Sequence, residues 1–253
     1  KSSGGSAVAD SRYVNILVQH SLIAMPDNNF EPRFDDPRVG YFTTRVNDMT
    51  TTEALNYRDL VHRLNLVKKD STLALSEPVE PLVYWIENTT PIALRDLIKE
   101  GVESWSLAFE SAGFKNAVQV KVQPDTALWD AGDLRYNVLR WTSSPNPPFG
   151  GYGPSFVNPR TGQILGADIM LEWIYITKRI QQGELFEHTS LFLDEENPMD
   201  EHYCSASALM QSNNLFAHSA VDAMELSQAS KETLIRESLR RLVLHEVGHT
   251  LGL

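Results

Sequence analysis

His245-Glu246-Val247-Gly248-His249-Thr250-Leu251-Gly252-Leu253 is the stretch on which the reading of this 253-residue chain turns. Two histidines four apart on a helix lie one above the other on the same face. Both imidazoles then reach a single tetrahedral Zn²⁺, and the glutamate beside the first faces the open coordination position as base for a water. His245 and His249 are therefore candidate metal ligands, and Glu246 is the candidate catalytic base. The bare pentapeptide is short enough to recur by chance. Gly252, three residues past the second histidine, adds the point at which such a helix stops and the chain turns.

Working back from the motif, Ser230 is a reasonable N-cap for the helix that carries it. Leu234, Ile235, Leu239, Leu242 and Val243 give that helix an apolar stripe, which His245 and His249 extend. The ligands are thus expected where the helix meets a sheet. Residues 203–228 read as one or two further helices. Residues 184–201 hold seven acids and no Lys or Arg, and they read as a solvated loop. A calcium loop is the sharper alternative, but Asp194, Glu195, Glu196 and Asp200 have no loop spacing that supports it.

Earlier still lies a hairpin: Tyr152 to Val157 as one arm, Asn158-Pro159-Arg160-Thr161-Gly162 as the turn, and Ile164 to Tyr175 as the other. Pro154 donates no hydrogen bond, so the first arm belongs at a sheet edge. Upstream, strand and helix alternate. Leu82–Ile86 reads as a strand, and Thr90 as the cap of a helix with Pro91 at its first position. Leu94, Leu97, Ile98, Val102, Trp105 and Phe109 form that helix's apolar face, and Gly113 ends it. Ala117–Val122 and Leu134–Trp141 are further strands. A βαβ start followed by a hairpin predicts an α+β (mixed α/β) fold with a mixed sheet.

The first 80 residues read as a connector or part of a preceding domain, with the junction between Lys68 and Pro81. They are expected to hold strands at Tyr13–Met25 and Arg38–Val46 and a short helix within residues 50–64. Residues 81–253 then form the larger unit.

A formal net charge of −11 without a basic cluster excludes a nucleic-acid surface, and no apolar run reaches the length of a membrane span. One cysteine, Cys204, excludes an internal disulfide. Lys1 to Ser6 reads as an interior linker, and there is no leader sequence to read.

His245 to Leu253 resembles the first nine residues of the metzincin zinc-binding consensus. Asp133-Leu134-Arg135-Tyr136-Asn137-Val138-Leu139-Arg140-Trp141, Tyr152-Gly153, Asn158 to Ile164 and Gly113-Phe114-Lys115-Asn116-Ala117 resemble a group of large bacterial zinc-dependent metalloproteases. Asp36 to Phe42 does so less specifically. The resemblance covers roughly residues 80–253 and implies a metzincin-like upper subdomain: strand, helix, strand, strand, antiparallel edge strand, strand, active-site helix. It implies a zinc metalloendopeptidase that is exported, carries further domains and acts on a peptide or protein. Its cofactor is Zn²⁺, with the third protein ligand two residues beyond Leu253. An extended substrate would pair with the edge strand at Tyr152, Gly153, Ser155, Phe156 and Val157.

Two other readings stand beside this one. A non-catalytic binding or scaffold module is consistent with only two ligands in the chain. A deformylase-type site would use Cys204, forty-one residues before His245 (245 − 204), but Tyr203-Cys204-Ser205-Ala206 and Gly248 both depart from that pattern.

Overall fold

The computed structural model describes residue 15, residues 17–143 and 151–173, scattered positions between 213 and 224, and residues 228–253. The fold is α+β. Its centre is a six-stranded mixed sheet formed by β3 (Leu82–Ile86), β4 (Val118–Val122), β5 (Asn137–Thr142), β6 (Gly151–Tyr152), β7 (Ser155–Val157) and β8 (Ile164–Glu172). The order across it is β4-β3-β5-β8-β6, with β7 also on β8. The first four are mutually parallel; β6 and β7 run antiparallel along the free side of β8. Together β6 and β7 are the edge arm read from the sequence, broken at Gly153 and Pro154, where Asp168 N–H still reaches the Pro154 carbonyl at 3.2 Å.

Asn137 shows how one residue of the sequence sets the register. Its side chain donates to the Val83 carbonyl at 3.1 Å and accepts from the Ala167 N–H at 2.9 Å, tying the strands on both sides of β5. The turn before β8 uses Asn158 in the same way: its carbonyl accepts from Thr161 and Gly162, and its side chain accepts from Arg160 N–H. Gly162 takes a φ of +77°, which a side chain would strain.

One face of the sheet is covered by α1 (Ile92–Glu103) and α3 (Gln228–Thr250), with the short α2 (Ser106–Ser111) following α1. Leu97, Ile98 and Val102 of α1 meet Leu239, Leu242, Val243 and Val247 of α3 over Ile86, Leu139, Ile169 and Leu171 of the strands. This layer excludes water from about a dozen large apolar side chains, each contributing roughly 1.5–3 kcal/mol on burial. The two helices touch at Gly101, where a Cβ would stand 2.9 Å from Val243 Cβ. The stripe expected on α3 is thus the buried one, though its outer members Leu234 and Ile235 are only half-buried.

Several expectations are corrected. The helix expected within residues 50–64 is a strand, β2 (Tyr57–Val61), paired antiparallel with β1 (Thr43–Asn47). Leu60 and Val61 are both buried although adjacent, a pattern a pairing strand end accommodates, and Leu55 is exposed. Arg45 also bridges to Asp59 at 3.2 Å and stacks over Tyr57, contacts between strands that no local propensity reveals. Residues 17–25 of the expected first strand carry no regular element, and Tyr13 and Val14 lie outside the described residues. The single helix expected from Thr90 to Gly113 is two. Its cap position is Pro91 rather than Thr90, and it breaks at Ser104, whose hydroxyl bonds back to the Glu100 carbonyl at 2.7 Å. The helices expected at 203–228 and the acidic loop at 184–201 lie wholly or mostly outside the described residues.

Residues preceding β3 are bonded to the central unit. Arg63 N–H reaches the Gly162 carbonyl at 3.0 Å and Ile164 N–H reaches the Arg63 carbonyl at 2.9 Å, so the chain leaving β2 runs beside the start of β8. No helix among the described residues is long and apolar enough to cross a membrane.

Candidate metal centre

Helix α3 carries His245, Glu246 and His249 in its last two turns, and the spacing does what a helix requires of it. The two imidazoles lie with centroids 4.4 Å apart, nearly edge to face. The helix then ends in a Schellman turn: Leu253 N–H bonds the Gly248 carbonyl at 3.1 Å and Gly252 N–H bonds the His249 carbonyl at 3.1 Å. Gly252 has a φ of +95°, so the expected stop is set by its left-handed conformation.

This turn orients the His249 ring. It brings the Leu253 carbonyl 2.8 Å from His249 Nδ1. A carbonyl only accepts, so Nδ1 bears a proton, and in the neutral ring Nε2 then keeps its lone pair. That Nε2 is buried and has no hydrogen-bond partner among the described residues. A ring fixed through one nitrogen, with the other unspent, is the arrangement a metal-ligating histidine shows. Burial, helped by the neighbouring His249 and Arg241, holds His245 below the ordinary imidazole value and so favours its neutral, ligating form.

Glu246 is 3% exposed. Burial pushes its carboxyl up to about 7, with no cation or donor among the described residues offsetting the loss of water. The edge strand closes over it. A Cβ on Gly151 would fall 2.7 Å from Glu246 Cγ and 2.8 Å from Oε1; a Cβ on Gly153 would fall 2.4 Å from the Glu246 carbonyl oxygen. The strand passes this near only because two alternate positions on its inner face lack side chains.

The far side of α3 is held from the sheet and from the N-cap of α2. The Trp105 indole donates to the Leu244 carbonyl at 3.0 Å and lies where a Cβ on Gly248 would be 3.0 Å from its ring. Beneath the last turn, Thr250 donates its one hydroxyl proton to the Val247 carbonyl at 2.7 Å. Tyr84 of β3, 2.9 Å from Thr250 Oγ1, must therefore be the donor of that buried bond. On the remaining side the Phe42 ring lies 5.1 Å from the His249 ring.

Of the residues read from the sequence, the structure brings together His245, Glu246, His249 and Gly153. Tyr152 is 41% exposed, and Ser155 and Val157 are half-buried along the arm. Phe156 pairs opposite Gly166 and lines a cavity on the other face of the sheet with Arg140 and Leu134. Among the described residues no third His, Cys, Asp or Glu joins the two histidines. Cys204 lies outside them.

Sequence reasoning missed Gly151, which sits in a proline- and glycine-rich stretch that reads as a turn. It also missed Phe42 as a residue of the site, although Asp36 to Phe42 carries the less specific part of the resemblance.

Comparison with known proteins adds one match. Residues 2–69 are similar to a family described as a domain of unknown function (DUF5117). No curated protein and no solved structure matches the chain.

Proposed function

We propose that this chain contributes the zinc-binding helix and the upper part of the cleft of a metzincin-type zinc metalloendopeptidase. The observation that carries the reading is His249: its Nδ1 proton is spent on Leu253, and its buried Nε2 is unpartnered beside the ring of His245. The order of elements that the resemblance implies also supports it: β3, α1, β4, β5, an antiparallel edge, β8 and the helix that bears the histidines. His245 and His249 would hold zinc, with the third ligand following Leu253.

When bound, zinc supplies Lewis acidity at a scissile carbonyl and lowers the pKa of water to about 7. Glu246 accepts a proton at its carboxylate and returns it to the leaving amine. The edge arm offers backbone groups from Tyr152 to Val157 to an extended peptide, with one donor missing at Pro154. Its glycines keep that backbone beside Glu246, where the reacting bond must lie. Export from the cell belongs to the same proposal and rests on the resemblance.

Glu246→Gln in the full-length protein is expected to lower kcat at least a hundredfold while zinc stays bound. Activity within tenfold of wild type, with zinc retained, overturns Glu246 as base. The second reading is a scaffold module, since only two histidines stand together among the described residues. Elemental analysis of this chain and of one extended past Leu253 separates the two: zinc in the longer chain supports the enzyme, and zinc in neither supports the scaffold.

A further inference from the structure

The segment similar to the family of unknown function reaches the metal centre directly. Phe42 makes two contacts there at once. Its ring lies against the His249 imidazole at 5.1 Å, tilted by 37°, and its N–H donates to the Gly252 carbonyl at 2.9 Å. His62, the residue after β2, donates its N–H at 2.8 Å to the carbonyl of Phe42, the residue before β1. The His62 carbonyl stands where a Cβ on Gly252 would approach within 2.3 Å, so this backbone is seated on the turn that ends α3. Thr44 and His62 share a further side-chain bond of 2.8 Å, which keeps the two strands in register at that point.

These contacts converge on a single geometric consequence. The Leu253 carbonyl accepts from His249 Nδ1 only while the Schellman turn holds its shape. The Phe42 N–H and the His62 carbonyl grip that turn, and the Phe42 ring covers one face of the imidazole it orients.

We propose that residues 42–62, within the segment matched by the family of unknown function, are a built part of the metal centre, with Phe42 as the positioning residue for His249. The inference rests on the zinc reading for its consequence, metal affinity, but not for the geometry it asserts. A role is thereby assigned to the matched segment: it is the wall that fixes the second ligand, not a spacer ahead of the site.

Two arms test it. In the metal-free full-length protein, where Leu253 has a peptide carbonyl, nitrogen-15 NMR of the His249 ring is expected to show one tautomer, with the proton on Nδ1. Phe42→Ala is expected to mix the tautomers, and Phe42→Tyr, which keeps the ring, to restore the single one. In the full-length protein, chelator competition is expected to show zinc held about tenfold more weakly by Phe42→Ala, with a changed visible spectrum in the cobalt-substituted form. Phe34→Ala, elsewhere on the same segment, should leave affinity and spectrum unchanged. If Phe42→Ala does not fold, Phe42→Leu is read in its place. An unmixed tautomer in the folded variant overturns the proposal, as does unchanged affinity and spectrum. A wild type that takes up no zinc overturns the zinc reading instead, and the tautomer arm then decides this inference alone.

Discussion

The two walls that close on the helix of His245 and His249 do so by opposite means. The edge strand comes close because Gly151 and Gly153 have nothing beyond Cα to keep Glu246 away. The wall formed by Phe42 and His62 comes close by bringing matter: a ring against His249 and a carbonyl against Gly252. In a close-packed interior the first kind of wall fails when atoms are added and the second when they are removed. The contrast also divides the labour, since the glycine wall bears on the proposed base, Glu246, and the aromatic wall on a proposed ligand, His249.

Adding atoms to the first wall should produce the largest effect. In Gly153→Ala the new methyl meets the Glu246 carbonyl, a helix backbone atom that cannot swing aside. A loss of about 3 kcal/mol is expected, at the upper end of overpacking costs, read as a lower urea midpoint. Gly151→Ala meets the end of a side chain instead. Its cost should be smaller, about 2 kcal/mol, because Glu246 can rotate. On the proposed peptidase function, hydrolysis should nevertheless fall about tenfold in kcat with KM little changed, since the proposed base is displaced while the proposed zinc ligands and the edge backbone remain. Equal destabilisation by the two variants would mean that the strand shifts as a body and that the distinction between side chain and backbone is wrong.

Removing atoms from the second wall should matter less to folding. Phe42 is 43% exposed, so Phe42→Ala forfeits only part of the burial of a phenylalanine, about 1.5 kcal/mol. A thermal melt that puts this loss above that of Gly153→Ala would reverse the ranking of the walls.

The sequence carried the two walls unequally, for physical reasons. His245, Glu246, His249 and the stop at Gly252 were legible because their chemistry and spacing are local. The edge arm was legible from Pro154 and the turn Asn158 to Gly162, and α3 from its stripe. The second wall depends on contacts between the beginning and the end of the chain. Its strand Tyr57–Val61 was read as helix because pairing with Thr43–Asn47, not local propensity, decides its conformation. Gly151 was invisible for a different reason: a glycine needed for close approach looks the same as one needed for a turn. The break at Ser104 was equally hidden, since a serine that bonds back to Glu100 leaves no mark on apolar periodicity.

Below the two walls the sheet holds the same helix end by a single hydroxyl, and the smallest effect is expected there. Tyr84→Phe leaves Thr250 bonded to Val247 but removes the proton it accepts from Tyr84, a cost of about 1 kcal/mol at pH 7. The pH dependence gives the sharper readout. Burial pushes Tyr84 up to about 12, with the Thr250 bond pulling weakly the other way, against about 10 in the unfolded chain. A group whose folded pKa is raised stabilises fully below its unfolded value and loses that contribution as pH climbs through the folded one. Wild type should therefore lose up to about 3 kcal/mol from this residue between pH 10 and 12. Tyr84→Phe should be less stable than wild type at pH 7, yet lack this part of the alkaline slope, so the two urea curves converge or cross at high pH. Parallel loss in both proteins from pH 10 to 12 would show that Tyr84 ionises without penalty, and that the walls hold the helix end without support from beneath.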